Sequence, residues 1–179
     1  MVALAVDQAT KAWVSANMVS HDIRPVIGGF LRLRYTENTG AAFGLFQGWT
    51  GALSIVAVAI IAAIVLSASK MAGNNPALLV ALGLVLGGAL GNLADRVTLG
   101  YVRDFIDVYG PRIEWQGATY TWPVFNMADS SITIGVLLIM ATMLFAGEHT
   151  PAEGKRGEQS EHSYVKHGPS PWFRGLNEE

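Results

Sequence analysis

The 179 residues are 51% hydrophobic and only 15% charged, with a mean hydropathy of +0.34, so a bilayer suits this chain better than water. A formal net charge of -2 and a pI near 6.1 leave no global basic field, which excludes nucleic acid as the expected partner. The absence of cysteine excludes a disulfide framework, a thiolate nucleophile and a thiolate metal site.

Taken in chain order, the first segment is apolar from Met1 to Val6 and then meets Asp7, Gln8 and Lys11. It reads as the last turns of a first transmembrane helix, over about 1–18, whose amino-terminal half is missing. A cleavable signal peptide fits less well, since no basic region precedes the apolar run. From 20 to 49 polar and apolar residues alternate at Phe30, Leu31, Arg32, Leu33, Arg34 and Tyr35, which predicts short strands at the membrane surface.

Crossing the hydrocarbon layer takes about 20 apolar residues. Three stretches meet that length, at about 51–69, 76–95 and 126–146, the last interrupted only by Asp129. Gly83, Gly87 and Gly91 share one face of the middle stretch and would let another helix approach closely. Between them, 96–125 is a polar connection carrying Asp104, Asp107, Arg112 and Glu114. Trp13, Trp49, Trp115 and Trp122 fall near helix ends, as interfacial anchors do. Beyond Gly147 the composition turns to Glu, Lys, Ser, Gly and Pro, the signature of a disordered polar tail over 147–179. The fold expected is a mostly α membrane protein, a four-helix transmembrane bundle with a small β-rich cradle, forming one domain over 1–146.

Connectivity then does what charge asymmetry does not. If four helices cross, the end of the first, the start of the second, the end of the third and the start of the fourth lie on one side. Asp7, Lys11, Asn38, Asn92, Asp95, Arg96, Asp104, Asp107, Asn126 and Asp129 all converge there. Ionisable groups at membrane depth are functional candidates by default.

The chemistry follows by elimination. His149, His162 and His167 lie in or beside the tail and only His21 is near the convergent side, so a Ser-His-Asp triad does not fit. Neither a Gly-x-Ser-x-Gly elbow nor a His-Glu-x-x-His helix occurs. A Ser-Lys pair would have only Lys11, which sits beside Asp7 as an ion partner. Carboxylates remain: two close together cannot both ionise easily, so one keeps a proton while the other acts as base on a shared water. Asp104, expected on a loop, and Asp129, in the first turn of a membrane helix, suit that task without metal or cofactor.

Five motifs then resemble a known family, in its order: Asp7-Gln8-Ala9-Thr10-Lys11, Asn38-Thr39-Gly40-Ala41-Ala42-Phe43, Gly91-Asn92-Leu93-Ala94-Asp95-Arg96, Val102-Arg103-Asp104-Phe105-Ile106-Asp107 and Phe125-Asn126-Met127-Ala128-Asp129-Ser130. Together they resemble the lipoprotein signal peptidase (signal peptidase II) family over roughly 7–143. The resemblance implies cleavage of a prolipoprotein before its diacylglyceryl-modified cysteine, with Asp104 and Asp129 as catalytic dyad. It implies substrate positioning and dyad support by Asp7, Asn38, Asn92, Arg96 and Asn126. It also implies a bacterial inner-membrane location, cytoplasmic termini, a site and cradle at the extracytoplasmic face, and membrane lipids and prolipoproteins as partners of a monomer. The short first helix and the long tail depart from the family pattern.

Plainer readings stand beside these. Asp104 and Asp129 could be a loop salt bridge with Arg103 or Arg96 and a helix cap, and Asp107 a turn or cap residue. Asp95 falls on one helical face with Asn92 and Arg96 and could close the helix end as an ion pair. Arg96 could clamp the substrate main chain or lipid ester. Asn126 could cap the helix or meet the substrate. Asn38 with the Gly40 to Phe43 run could be a simple turn. The alternative function is a non-enzymatic transporter or scaffold using the acids as a cation or proton site. Acids near the bilayer midplane would favour it, whereas acids near one face favour the peptidase.

Overall fold

A computed structural model describes residues 1–41, 45–72, 75–109, 112–115 and 118–146. The expected tail at 147–179 lies outside the described residues, as do the side chains of Arg112, Glu114 and Trp115. The elements run α1 (Val2–Asn17), β1 (Ile23–Ile27), β2 (Leu31–Asn38), α2 (Thr50–Ala72), α3 (Pro76–Leu99), β3 (Val102–Val108), β4 (Arg112–Trp115), β5 (Ala118–Thr121) and α4 (Met127–Ala146). Of these, α2, α3 and α4 are long and apolar enough to cross a membrane. Their outward faces carry exposed apolar side chains such as Ile55, Leu66, Leu79 and Leu144, which in lipid cost nothing.

Helix ends depart from the expected positions for local reasons. The Asn75 side chain caps α3 by accepting from the backbone N–H of Ala77 and Leu78, at 3.0 and 3.2 Å, with Pro76 in the first turn. The expected stop at Asp95 is overrun, and α3 continues to Leu99. Asp95 is fully buried and ion-paired, so its charge does not end the helix. Gly100 does, at φ 82°, a left-handed cap whose N–H donates to the Arg96 carbonyl. Likewise α2 runs past Lys70 to Ala72, because a single lysine is a good helix former and no breaker.

The connection after α3 is not a loop where Asp104 sits. Asp104 lies on β3, a strand paired antiparallel with β2 in a sheet ordered β1-β2-β3, with Thr36 opposite Asp104 and Asn38 opposite Val102. Acids at two of its inward positions hide the alternation: Val102, Asp104, Phe105 and Asp107 are the buried residues of this strand. Pairing also reaches the approach to α4. Both Phe105 and Ile106 donate their N–H to the Phe125 carbonyl, and Phe125 donates back to Ile106 at 3.0 Å. Beneath the sheet, Val14 and Met18 at the end of α1 meet Tyr35, Phe105 and Met127 in a small core. That core joins α1, the sheet and the start of α4, so Asp104 and Asp129 have little freedom to separate.

Close helix packing rests on the glycines of α3. A Cβ on Gly87 would lie 2.9 Å from Ala3 Cβ, and one on Gly91 would strike the Asp7 carboxylate. Gly83, expected on the same packing face, meets open space instead, while Gly88 carries the contact with α4: a Cβ there would lie 2.5 Å from the Ala128 carbonyl and 2.8 Å from Ile132. Gly88→Ala is therefore expected to cost about 1–3 kcal/mol by overpacking and to lower activity by displacing the start of α4. Gly83→Ala should be neutral or slightly stabilising. Thermal unfolding of the two variants in detergent checks the difference.

Candidate active site

The start of α4 supplies the local frame. Asn126 is its N-cap: the side-chain Oδ1 accepts from the Asp129 N–H at 2.9 Å, and Asp129 Oδ2 accepts from the Asn126 N–H at 3.1 Å. This reciprocal capping box satisfies two backbone donors and fixes the rotamer of an acid in the same stroke. A third donor, the Ala128 N–H, is taken by Asp7 Oδ1 from α1 at 2.9 Å. The helix macrodipole also favours negative charge at this end.

The capping asparagine has its amide nitrogen to spare, and spends it across the site. Asn126 Nδ2 donates to Asp104 Oδ1 at 2.7 Å and to Asn92 Oδ1 at 3.1 Å. Asn92, from α3, donates in turn to Asp129 Oδ1 at 2.8 Å. The second oxygen of Asp104 accepts from Asn38 Nδ2 at 2.9 Å, and Asn38 is oriented by the Gly40 N–H, 2.9 Å from its Oδ1. Two acids from different elements, Asp104 buried and Asp129 partly buried, are thus held in one network by three asparagines.

Asp104 is 3% exposed. Burial, and then the charge of nearby Asp129, push its pKa up to about 7, against the opposing effect of the Asn38 and Asn126 hydrogen bonds and of Lys11. At neutral pH such an acid holds a proton about half the time.

Behind the asparagines lies a buried ionic cluster. Lys11, fully buried on α1, reaches Asp7 at 2.9 Å, Asn92 Oδ1 at 2.9 Å and Asp95 at 3.5 Å. Arg103 closes the cluster with two side-chain bonds to Asp95, at 2.7 and 3.1 Å, and its pKa is raised chiefly by that hydrogen bonding. The expected Asp7–Lys11 pair is present. Asp95 does not pair with Arg96 along the helix, nor Arg103 with Asp104; Asp95 and Arg103 pair with each other. Adjacent helical residues point apart, whereas the turn at Gly100 folds β3 back onto the end of α3.

The acids open onto a cavity of about 470 Å³. Asn38, Asn92, Arg96, Asp104 and Asp129, with the hydroxyls of Ser130 and Thr133, supply its polar lining, and apolar walls come from residues such as Phe125 and Ile132. Asn126 and Asp7 do not line it: both are fully buried behind the acids. Arg96 donates to the Gly40 carbonyl at 3.2 Å, while its buried Nε has no hydrogen-bond partner among the described residues. Asp107 sits outside the cavity, paired with Arg32 at 2.7 Å. The apolar wall residues carry no polar signal that could single them out in sequence. Among the described residues no cluster of His, Cys, Asp and Glu is suited to a metal.

A family model described as signal peptidase (SPase) II matches residues 1–145. The chain belongs to the signal peptidase II family. Curated lipoprotein signal peptidases agree: that of Moorella thermoacetica is 42% identical over 150 residues, covering 83% of this chain and 92% of its own. That of Syntrophus aciditrophicus is 41% identical over 147 residues, covering 79% and 86%. Among solved structures, a bacterial membrane enzyme determined by the in meso method at 2.3 Å superposes with a TM-score of 0.75 at 36% identity, covering 87% of this chain and 90% of that one. A second bacterial membrane enzyme gives 0.69 at 38% identity, with 83% and 90% coverage. As a signal peptidase II family member the chain is a membrane protease, and the transporter or scaffold alternative is not favoured.

Proposed function

We propose that this peptidase is of the aspartic type, with Asp104 and Asp129 sharing one water and cleaving a prolipoprotein before its diacylglyceryl-modified cysteine. The observation that carries this reading is the pair of acids on one cavity, bridged through Asn126. Asp129 accepts from a backbone N–H at a helix amino terminus, whereas Asp104 on its strand accepts from the side-chain amides of Asn38 and Asn126. Asp129 is accordingly the base and Asp104 the acid. The water loses a proton to Asp129 as its oxygen attacks the scissile carbonyl, and Asp104 protonates the carbonyl oxygen. Collapse of the tetrahedral intermediate returns a proton to the departing nitrogen. Arg96, with a donor unengaged beside the cavity, binds substrate carbonyl or ester oxygens; Asn38 and Asn92 hold the acids and face the substrate. Asn126 and Asp7 act from behind by fixing the start of α4.

In this reading α1 is the fourth membrane helix of one domain over 1–146, and the termini are cytoplasmic. The acids, on β3 just beyond the end of α3 and in the first turn of α4, then face outward across the inner membrane of a bacterium. The protein works as a monomer among its lipids. Purified enzyme should cleave a diacylglyceryl-modified precursor peptide and leave the unmodified peptide intact. Cleavage of neither, by protein that is folded in detergent or lipid, would contradict the proposal.

Its pH dependence follows from the acid. The rate kcat/KM should fall as pH rises through about 7, where Asp104 loses its proton, and fall again on the acid side as the base is protonated. Folding stability has the same sign. The pKa of Asp104 lies above its ordinary 3.8, so the folded state binds more protons between about 4 and 7, and stability declines as pH rises through that window. Parallel activity and thermal-unfolding profiles check both.

A further inference from the structure

Lys11 is buried more completely than a salt bridge with Asp7 requires, and its third contact is not to an acid. Its ammonium pairs with Asp7 at 2.9 Å and Asp95 at 3.5 Å and donates to the Asn92 Oδ1 at 2.9 Å. The same Asn92 oxygen also receives Asn126 Nδ2 at 3.1 Å. An amide can be turned over with little change in shape, and here the two orientations differ sharply. With Oδ1 toward Lys11, Asn92 Nδ2 points at Asp129 Oδ1, 2.8 Å away. Turned over, the amide would set its NH₂ against an ammonium and another NH₂, and its oxygen against a carboxylate, three mismatches in place of three hydrogen bonds.

We propose that Lys11 is a positioning residue for the dyad: its buried ammonium locks the Asn92 amide so that a donor always faces Asp129. This rests on the assignment of Asp129 as base and adds a residue that touches neither dyad acid. The cluster separates two tasks. Asp95 is held by Arg103, with side-chain bonds of 2.7 and 3.1 Å, so it does not depend on Lys11 for neutralisation. Asp7 pairs with Lys11 and caps α4 through the Ala128 N–H. The Asn92 contact leads from Lys11 to a side chain that itself bonds Asp129, whereas the Asp7 contact reaches only the backbone of α4. The charged groups around the pair are Asp7 on α1, Asp95 and Arg96 on α3, Arg103 and Asp104 on β3 and Asp129 on α4. Lys11 is the buried cation in hydrogen-bond contact with the asparagine network, and it opposes the rise in proton affinity of Asp104.

The test is steady-state cleavage of a lipidated precursor peptide by full-length enzyme in lipid, across pH. Lys11→Met strips the ammonium and keeps the length of the chain. Because it leaves Asp7 buried without its partner, Asp7→Asn/Lys11→Met is measured beside Asp7→Asn alone; asparagine keeps the acceptor for Ala128. Loss of the ammonium is expected to lower kcat about 30-fold with KM within about twofold, and to move the pH profile upward by about one unit, since a cation near the acids is gone. In an Asn92→Ala background the same change should add less than about a twofold loss, because Lys11 acts through Asn92. Undiminished kcat in the folded variants, an equal loss in both backgrounds, or failure of both Lys11 variants to fold would overturn the proposal, the last by making Lys11 a folding residue. Asp129→Asn separates the levels. If it is inactive while the Lys11 variants are fully active, only the positioning role is lost; if it is active, the dyad itself is wrong.

Discussion

Asp129→Asn is expected to be a folded protein with no measurable cleavage. The amide keeps an oxygen to accept from the Asn126 N–H or from Asn92, so the capping box survives, but the base that takes a proton from water is gone. Removing a general base alone costs about 10²–10⁴ in rate, and here the anion that orients the water disappears with it, so a loss of at least about 10³-fold is expected. Asp104→Asn should be equally inactive for the complementary reason, having no proton to give. The two differ in stability. Asp104→Asn removes an acid whose ionisation is disfavoured by burial, and should melt higher than the parent above pH 7 and show a flatter stability profile between pH 4 and 7. Cleavage assays with thermal unfolding on the same preparations check both statements. Retained cleavage in either variant would remove that acid from the dyad.

Substitution of Asn126 is expected to have the next largest effect, and two variants divide its roles. Asn126→Ala loses the cap on the Asp129 N–H, worth about 1–2 kcal/mol, and leaves Asp104 Oδ1 without the amide that ties it to the start of α4. Asn126→Ser keeps a good N-cap oxygen but has no second amide hydrogen to send to Asp104 and Asn92. Stability should therefore fall in Ala and recover in Ser, while kcat falls by about 10²-fold or more in both. Recovery of activity along with stability in the Ser variant would mean that Asn126 is only a cap.

The spans and the convergence of polar residues were legible because hydropathy and connectivity are local and additive. A charge-free run at 76–94 has few other uses, and helix order then places Asn92, Asp104 and Asp129 together. What hid was whatever depended on a partner. β3 looked like a polar loop because two of its inward residues, Asp104 and Asp107, are acids, and only their partners Asn38, Asn126 and Arg32 make them tolerable inside. The end of α3 is hidden for the same reason: Asp95 interrupts an apolar run in the sequence, and only Arg103 and Lys11 around it let the helix continue. Gly88 carries no signal of its own in the sequence: the even spacing of Gly83, Gly87 and Gly91 points to a different face, whereas the contact with α4 is set by where Ala128 falls. The division of the candidate residues into cavity wall and support was likewise not local. Asn126 and Asp7 belong to the same motifs as the cavity residues yet stand behind them, through contacts spanning 22 and 121 positions of chain.

Two acids that share a site must feel each other's charge, and site-resolved titration of the Asp104 carboxyl, by infrared difference or carbon NMR spectroscopy in lipid, measures that directly. The midpoint is expected near 7 in the parent and clearly lower in Asp129→Asn, where the neighbouring anion is gone but the burial is unchanged. A midpoint in the ordinary carboxylate range, or one that Asp129→Asn leaves unmoved, would contradict a shared site for the pair.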